Sequence, residues 1–223
     1  VNPNTLNYDL QYQRMDLDLD PAVNFISGSV TSHFLSKEIM PTIYFDFTDK
    51  IPVSAVTYHG SALTFEQLPT KELKINFPTS IPNNTLDSLT IHYAGVPDNV
   101  DRTYFYVNTH NGAPVMSTLS EPYGAQTWFP TKQSMNDKID RFDIKITTPD
   151  QYQVAANGLL KSEILQPGNK RLTFWRTQYP IAAYLVALSI GNFTKLNDTI
   201  GSTAFPYINY IYPDTLANFT IVD

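Results

Sequence analysis

The residues most able to do chemistry are few and scattered. The four histidines, His33, His59, His92 and His110, are each isolated in the chain. No pair shows the i, i+4 spacing of HExxH, which would set two imidazoles on one helix face. His33 and His92 fall in alternating segments, where a hydrogen-bonded sheet histidine is the expected role. His59-Gly60 and His110-Asn111-Gly112 read as turns. There is no cysteine, so disulfides, thiolate zinc sites and a cysteine nucleophile are excluded. Serines are plentiful, yet no GxSxG elbow and no glycine-rich phosphate loop occurs. Asp16, Asp18 and Asp20 alternate along one segment and read as a solvated face, with spacing that does not suit an EF-hand. The segment Ser117-Thr-Leu-Ser-Glu-Pro-Tyr-Gly-Ala-Gln-Thr-Trp-Phe-Pro130 is different. It sets a lone carboxylate, Glu121, among Pro122, Tyr123, Trp128 and Phe129. A carboxylate between aromatic walls can receive a cation such as a peptide α-amine through charge-assisted hydrogen bonds. An ordinary loop with a surface Glu is the competing reading.

The elements that must hold this segment read as strands. The chain has 223 residues and a formal net charge of −6, with 42% hydrophobic residues. A domain of this size buries roughly 70% of its unfolded surface, which excludes disorder. The acidic balance offers no electrostatic footprint for nucleic acid or an anionic membrane. The longest apolar stretch, Ile181 to Leu188, is too short to span a bilayer. With 16 Pro, 14 Tyr and 13 Phe against only 9 Gly, the composition favours strands and ordered turns.

Period-two patterns recur throughout. Leu10 and Tyr12 alternate in one phase, and Met15, Leu17 and Leu19 in the other, so a bulge is expected around Gln13 and Arg14. A turn over Asp20–Asn24 makes this strand a hairpin with Ile26–Phe34. Further strands are expected at 43–47, 53–58, 73–77, 89–93, 104–107, 142–146, 152–155, 172–176, 181–190 and 207–212. Only Lys132 to Asp140 holds the pattern for a turn or two of helix. The sequons at Asn83, Asn192, Asn197 and Asn218 are expected by chance in an Asn- and Thr-rich chain. The reading is one all-β domain, a sandwich or open β-architecture.

At Glu121 the sequence resembles the amino-terminal domain of M1-family zinc aminopeptidases. The pattern there is an acidic or amide residue with Phe-Pro closing the stretch nine residues on, as Phe129-Pro130 does. Asp137-Lys-Ile-Asp-Arg-Phe-Asp-Ile-Lys-Ile146 looks like the strand after that loop. Tyr8–Asp20 with Ile26-Ser-Gly-Ser-Val30, Leu89-Thr-Ile-His-Tyr-Ala-Gly95 and Tyr152-Gln-Val-Ala-Ala-Asn-Gly158 agree in order. Phe174-Trp-Arg176 with Pro180-Ile-Ala-Ala-Tyr-Leu-Val-Ala-Leu-Ser-Ile-Gly191 is similar to the strand pair that closes the domain.

The resemblance implies a large saddle-like or sandwich antiparallel β domain with almost no helix over residues 1–204, with 205–223 handing over to a catalytic domain outside this chain. It implies that Glu121 binds the free amino group of a peptide substrate, with Pro122 and Tyr123 beside it. It also implies a cis bond after the amine-binding residue, here Glu121–Pro122. Leu119 stands where the family often has Gln, which puts that substrate contact in doubt. The zinc-binding HExxH, its third-ligand Glu and the transition-state Tyr are not in this sequence. Zinc is therefore expected in the parent enzyme alone, and no metal ligand or catalytic residue is expected here. The implied partners are a peptide amino terminus and the chain's own catalytic domain. A standalone β-sandwich binding or adhesion module using exposed Tyr and Trp128, or a catalytically inactive scaffold of the same family, is the alternative. Few lysines, many Tyr, Asn and Thr, and a non-Met start point to an exported parent.

Overall fold

The computed structural model describes residues 2–97, 104–200 and 205–218. Strands β1 (Tyr8–Asp18), β2 (Ile26–Ser36), β3 (Met40–Asp46), β4 (Val53–Tyr58), β5 (Ser61–Ala62), β6 (Thr64–Leu68), β7 (Glu72–Ile81) and β8 (Leu86–Gly95) come first. They are followed by β9 (Phe105–His110), β10 (Ala113–Thr118), β11 (Arg141–Pro149), β12 (Gln153–Ala156) and β13 (Leu159–Gln166). The last are β14 (Lys170–Thr177), β15 (Leu188–Gly191), β16 (Thr194–Ile200) and β17 (Phe205–Ile211). Among the described residues the only helical pieces are short 3₁₀ turns.

An eight-stranded sheet in the order β13-β14-β11-β1-β2-β8-β4-β5 forms the body. A four-stranded sheet (β12-β15-β10-β9), a three-stranded sheet (β3-β7-β6) and the β16-β17 pair complete it. Pairing is antiparallel except between β1 and β11, which run parallel. One continuous core serves the three larger sheets, joining Leu17, Val30 and Phe34 to Phe45 and Ile75, and to Phe105, Met116 and Ile190.

The expected hairpin of β1 and β2 is present, and so is the bulge, but it lies at Gln11, between Leu10 and Tyr12. Tyr8 and Leu10 point inward before it, and Gln13, Met15 and Leu17 after it. The bulge therefore sits two residues before the expected place and puts Tyr12 on the outer face. Gln13, fully buried, donates to the Ser32 hydroxyl at 2.9 Å and to the Pro130 carbonyl at 3.1 Å, and accepts from the Thr131 hydroxyl at 3.2 Å.

Two expectations are corrected. Residues 132–140 form no helix, because their polar groups are taken from outside the segment. The Gln133 N–H donates to the Asp46 carboxylate at 2.7 Å, Ile139 pairs with Ile181, and the Lys132 ammonium donates to the Tyr8 carbonyl at 2.6 Å. Lys132, 2% exposed, also pairs with Asp137 and lies over the Tyr8 ring. Burial lowers the Lys132 pKa, against the opposing pull of Asp137. The 181–190 stretch is also not one strand: Ala183–Leu185 make a 3₁₀ turn and the strand is confined to Leu188–Gly191. Pro78 lies inside β7. It is tolerated because the β3–β7 register slips there, from Asn76 opposite Thr42 to Ile81 opposite Met40. Strands β5, β6, β10, β13 and β16 carry no clean alternation and were not expected. The side chain at the Asn218 sequon lies outside the described residues, as do residues 219–223.

On the outer face, Arg176 grips Asp143 with Nε at 2.7 Å and Nη2 at 2.6 Å, and the Tyr12 hydroxyl donates to the same carboxylate at 2.9 Å. Burial pushes the Asp143 carboxyl up, but these bonds outweigh it and hold the pKa below the usual value. The Tyr12 phenol is pushed up to about 12 by burial and by its bond to Asp143.

Two outcomes follow. Gln13→Ala leaves the Pro130 carbonyl and Thr131 hydroxyl short of a buried partner, and is expected to lower stability by about 1–3 kcal/mol in urea unfolding. An unchanged midpoint would show that this amide ties nothing together. For Asp143, the folded pKa lies below the unfolded one, so the unfolded chain binds the proton first as pH falls. Its contribution is present above the ordinary carboxylate pKa of about 3.9 and is lost as pH drops below it. Asp143→Asn is expected to flatten stability against pH between about 5 and 2; an identical acid slope would refute the assignment.

Candidate functional site

The hairpin of β9 and β10 turns at Asn111-Gly112, whose φ of 48° and 80° match the positive values of a type I′ turn. Strand β10 ends at Thr118, whose hydroxyl accepts the Leu188 N–H at 3.0 Å. The chain then makes a tight turn in which the Gly124 N–H donates to the Ser120 carbonyl at 2.8 Å. Gly124 admits no side chain, since a Cβ there would sit 2.0 Å from the Tyr104 ring.

Both flanks of this turn are anchored. Ser120 is buried, and its hydroxyl accepts from Trp128 Nε1 at 2.9 Å. The Thr127 hydroxyl donates to the Gly124 carbonyl at 2.7 Å. Trp128 and Phe129 are completely buried, edge to face at 4.5 Å, and Phe129 meets Phe142 at 6.1 Å. Beyond them the Pro130 carbonyl takes the Gln13 amide, and Thr131 exchanges backbone bonds with Asp46 at 2.8 and 3.1 Å.

Between the anchors, Glu121, Pro122 and Tyr123 are exposed. The Glu121–Pro122 bond is cis, as the resemblance implied. The Glu121 carboxylate has no hydrogen bond or ion pair to another described residue. The three expected residues are thus together at the tip of one turn.

The aromatic walls expected around Glu121 are reduced to Tyr123. Trp128 and Phe129 turn into the core, because the indole N–H finds Ser120 and loses nothing by burial. Trp128 is for the same reason no exposed platform for a sugar. Leu119, half exposed, is held by its N–H to the Tyr104 carbonyl at 3.1 Å.

A shallow concavity begins at Pro122 and Tyr123 and is walled by Gln133, Ser134, Met135, Ala183 and Tyr184. Sequence reasoning did not find the 133–135 wall, nor Lys132 and Asp137 that close it. Nothing in the local pattern marks a lysine as buried, and the segment reads as a helix.

The histidines take part elsewhere. His33 meets Tyr12 edge-on at 4.9 Å, while His59 stacks on Tyr58 and bonds Asp87 at 2.7 Å. His110 stacks on Tyr212 and bonds Asp214 at 3.0 Å. Among the described residues, no three His, Asp or Glu side chains converge, so the donors present do not fit a zinc site.

The fold is shared with solved metallopeptidases. An M1 zinc metallopeptidase from Deinococcus radiodurans superposes with a TM-score of 0.75 at 21% identity, over 92% of this chain and 46% of that one. A variant of the Deinococcus radiodurans enzyme bound to a Tyr-Ser-Ala substrate gives 0.77 at 22% identity, over 92% and 47%. A two-domain M1 zinc metallopeptidase variant bound to L-arginine gives 0.76 at 20%, over 92% and 46%. The chain thus spans less than half the length of these structures, and at such identities the likeness speaks for the fold alone. No curated protein matches it. The sequence itself, over residues 4–185, matches the Peptidase M1 N-terminal domain, and the chain belongs to that family.

Proposed function

We propose that this chain is the amine-recognition domain of a zinc aminopeptidase, a hydrolase that removes amino-terminal residues from peptides. In this reading the Glu121 carboxylate receives the substrate α-ammonium. The observation that carries it is an exposed carboxylate, unpaired among the described residues, at the tip of a turn whose two flanks are locked into the core. An ammonium offers three donors to a carboxylate. Internal peptide nitrogens carry no charge, so such a contact selects chain ends. The relative solved with Tyr-Ser-Ala supports a peptide as the ligand.

In water the pair is worth only about 0–1 kcal/mol. The isolated domain therefore binds weakly, and the contact strengthens once a covering surface excludes solvent. Exposed Leu119, Met135, Tyr179 and Leu185 suit such a cover, which the proposal assigns to the chain's own catalytic domain. Zinc is held there, by ligands outside these residues, and no step of bond cleavage is assigned to this domain.

In the whole protein, Glu121→Gln keeps the shape and removes the charge. It is expected to lower kcat/KM for aminoacyl p-nitroanilides by about 100-fold, as loss of a desolvated charge pair worth about 2–5 kcal/mol implies. Unchanged kcat/KM would overturn the proposal.

A further inference from the structure

We infer that the cleft between the β4–β5 turn and the end of β7 is a binding site for a neutral sugar ring. The inference does not rest on the amine-recognition reading, and the cleft shares no residue with the turn that carries Glu121. Strands β4 and β5 are joined by His59-Gly60, whose φ of 49° and 81° make the tight left-handed turn of a two-residue hairpin. Strand β6 pairs with β7 only as far as Thr64 opposite Asn76. From Phe77 onward β7 runs past the end of β6, and an open cleft of about 560 Å³ lies between this overhang and the turn. That volume falls within the range of small-molecule sites.

One wall is aromatic and held in place. The His59 ring stacks on Tyr58 at 3.9 Å, and Tyr58 meets Phe77 edge to face at 5.3 Å. The Asp87 carboxylate takes the Tyr58 hydroxyl at 2.6 Å on one oxygen and bonds His59 Nε2 at 2.7 Å through the other. One acid, its side chain only 11% exposed, thus orients both rings, while the His59 side chain stays 62% exposed. The lining also carries free polar groups. Ser61, Thr64 and Asn76 face the cleft, and among the described residues their side chains make no hydrogen bond.

This combination selects the ligand by exclusion. No carboxylate, lysine or arginine lines the cleft, and its titratable groups, Tyr58 and His59, both have their partner in Asp87. A charged ligand would lose hydration without gaining a counter-charge. A purely apolar ligand would cover two hydroxyls and an amide and leave them unpaired. A pyranose meets both demands. The C–H bonds on one side of its ring form an apolar face for an aromatic wall, and its hydroxyls both donate and accept at the rim.

The test is saturation-transfer NMR on the whole protein with the methyl pyranosides of glucose, galactose, mannose and N-acetylglucosamine. At least one is expected to bind with a Kd on the order of 1–10 mM, the scale for a small ligand with few contacts. Its ring C–H protons should receive most of the saturation. Methyl glucuronide, with a carboxylate on the same ring, and glycerol, with hydroxyls but no ring face, are expected to bind far more weakly. His59→Asn removes the ring and keeps the turn, because asparagine before glycine favours the same backbone. Asn76→Ala removes the amide. Each is expected to raise Kd about three- to tenfold, as loss of one stacking or hydrogen-bond contact implies, while kcat/KM for Leu p-nitroanilide stays unchanged. A mannose-terminated glycopeptide that binds more tightly than methyl mannoside assigns the cleft to glycan ends, and equal affinity assigns it to free sugar; both support the site. Failure of every pyranoside to bind, equal binding of glucuronide or glycerol, or an unmoved Kd in both variants would overturn the inference. A silent Glu121→Gln would leave it standing.

Discussion

A buried amide holds this domain and its candidate site in one piece. The bulge at Gln11 reverses the inward face of β1, so that Gln13 enters the core beside Met15 and Leu17. A primary amide with no exposure must find partners or cost several kcal/mol. Gln13 finds them in Ser32 on the neighbouring strand, and in Pro130 and Thr131 at the end of the site loop. The polar group that β1 brings inside thus fixes where the loop returns. From there the chain runs to β11, which pairs in parallel along the other edge of β1.

The same division of labour recurs in the loop itself. Its ends carry the large apolar surfaces and the buried hydrogen bonds, with Trp128 on Ser120 and Phe129 against Phe142. Its tip carries three exposed residues in a row, Glu121 to Tyr123. A charged group on such a support loses little conformational freedom when a ligand arrives, which is the physical meaning of preorganisation. The second wall is fixed by other means. Lys132 reaches the Tyr8 carbonyl and Asp137 from an almost fully buried position, and the loop between the two charges is closed by their attraction. Asp143 with Arg176 on the outer face is a contrasting pair, bidentate and partly solvated, which tunes acid stability rather than shape.

What the amino-acid sequence determined by itself was whatever depends on near neighbours. Alternation placed most strands, Asn-Gly and His-Gly marked turns, and the phase slip in Tyr8–Leu19 announced a bulge within two residues of where it lies. Glu121, Pro122 and Tyr123 stood out as a group. Their cis bond and their place in an M1 amino-terminal domain came from resemblance, not from periodicity. Strands such as β13, with many exposed positions, gave no alternation to read because neither face is steadily buried.

Tertiary structure alone decided which of the chemically notable residues face water. Trp128 and Phe129 read as walls of a site and are core; Lys132 reads as the start of a short helical turn and is a buried cation in a loop. The reason is distance along the chain. The carbonyl that receives Lys132 lies 124 residues away, and the amide that donates to the Pro130 carbonyl lies 117 away. Periodicity senses a residue's own element, whereas burial of a charge or an indole is set by partners that only folding brings near.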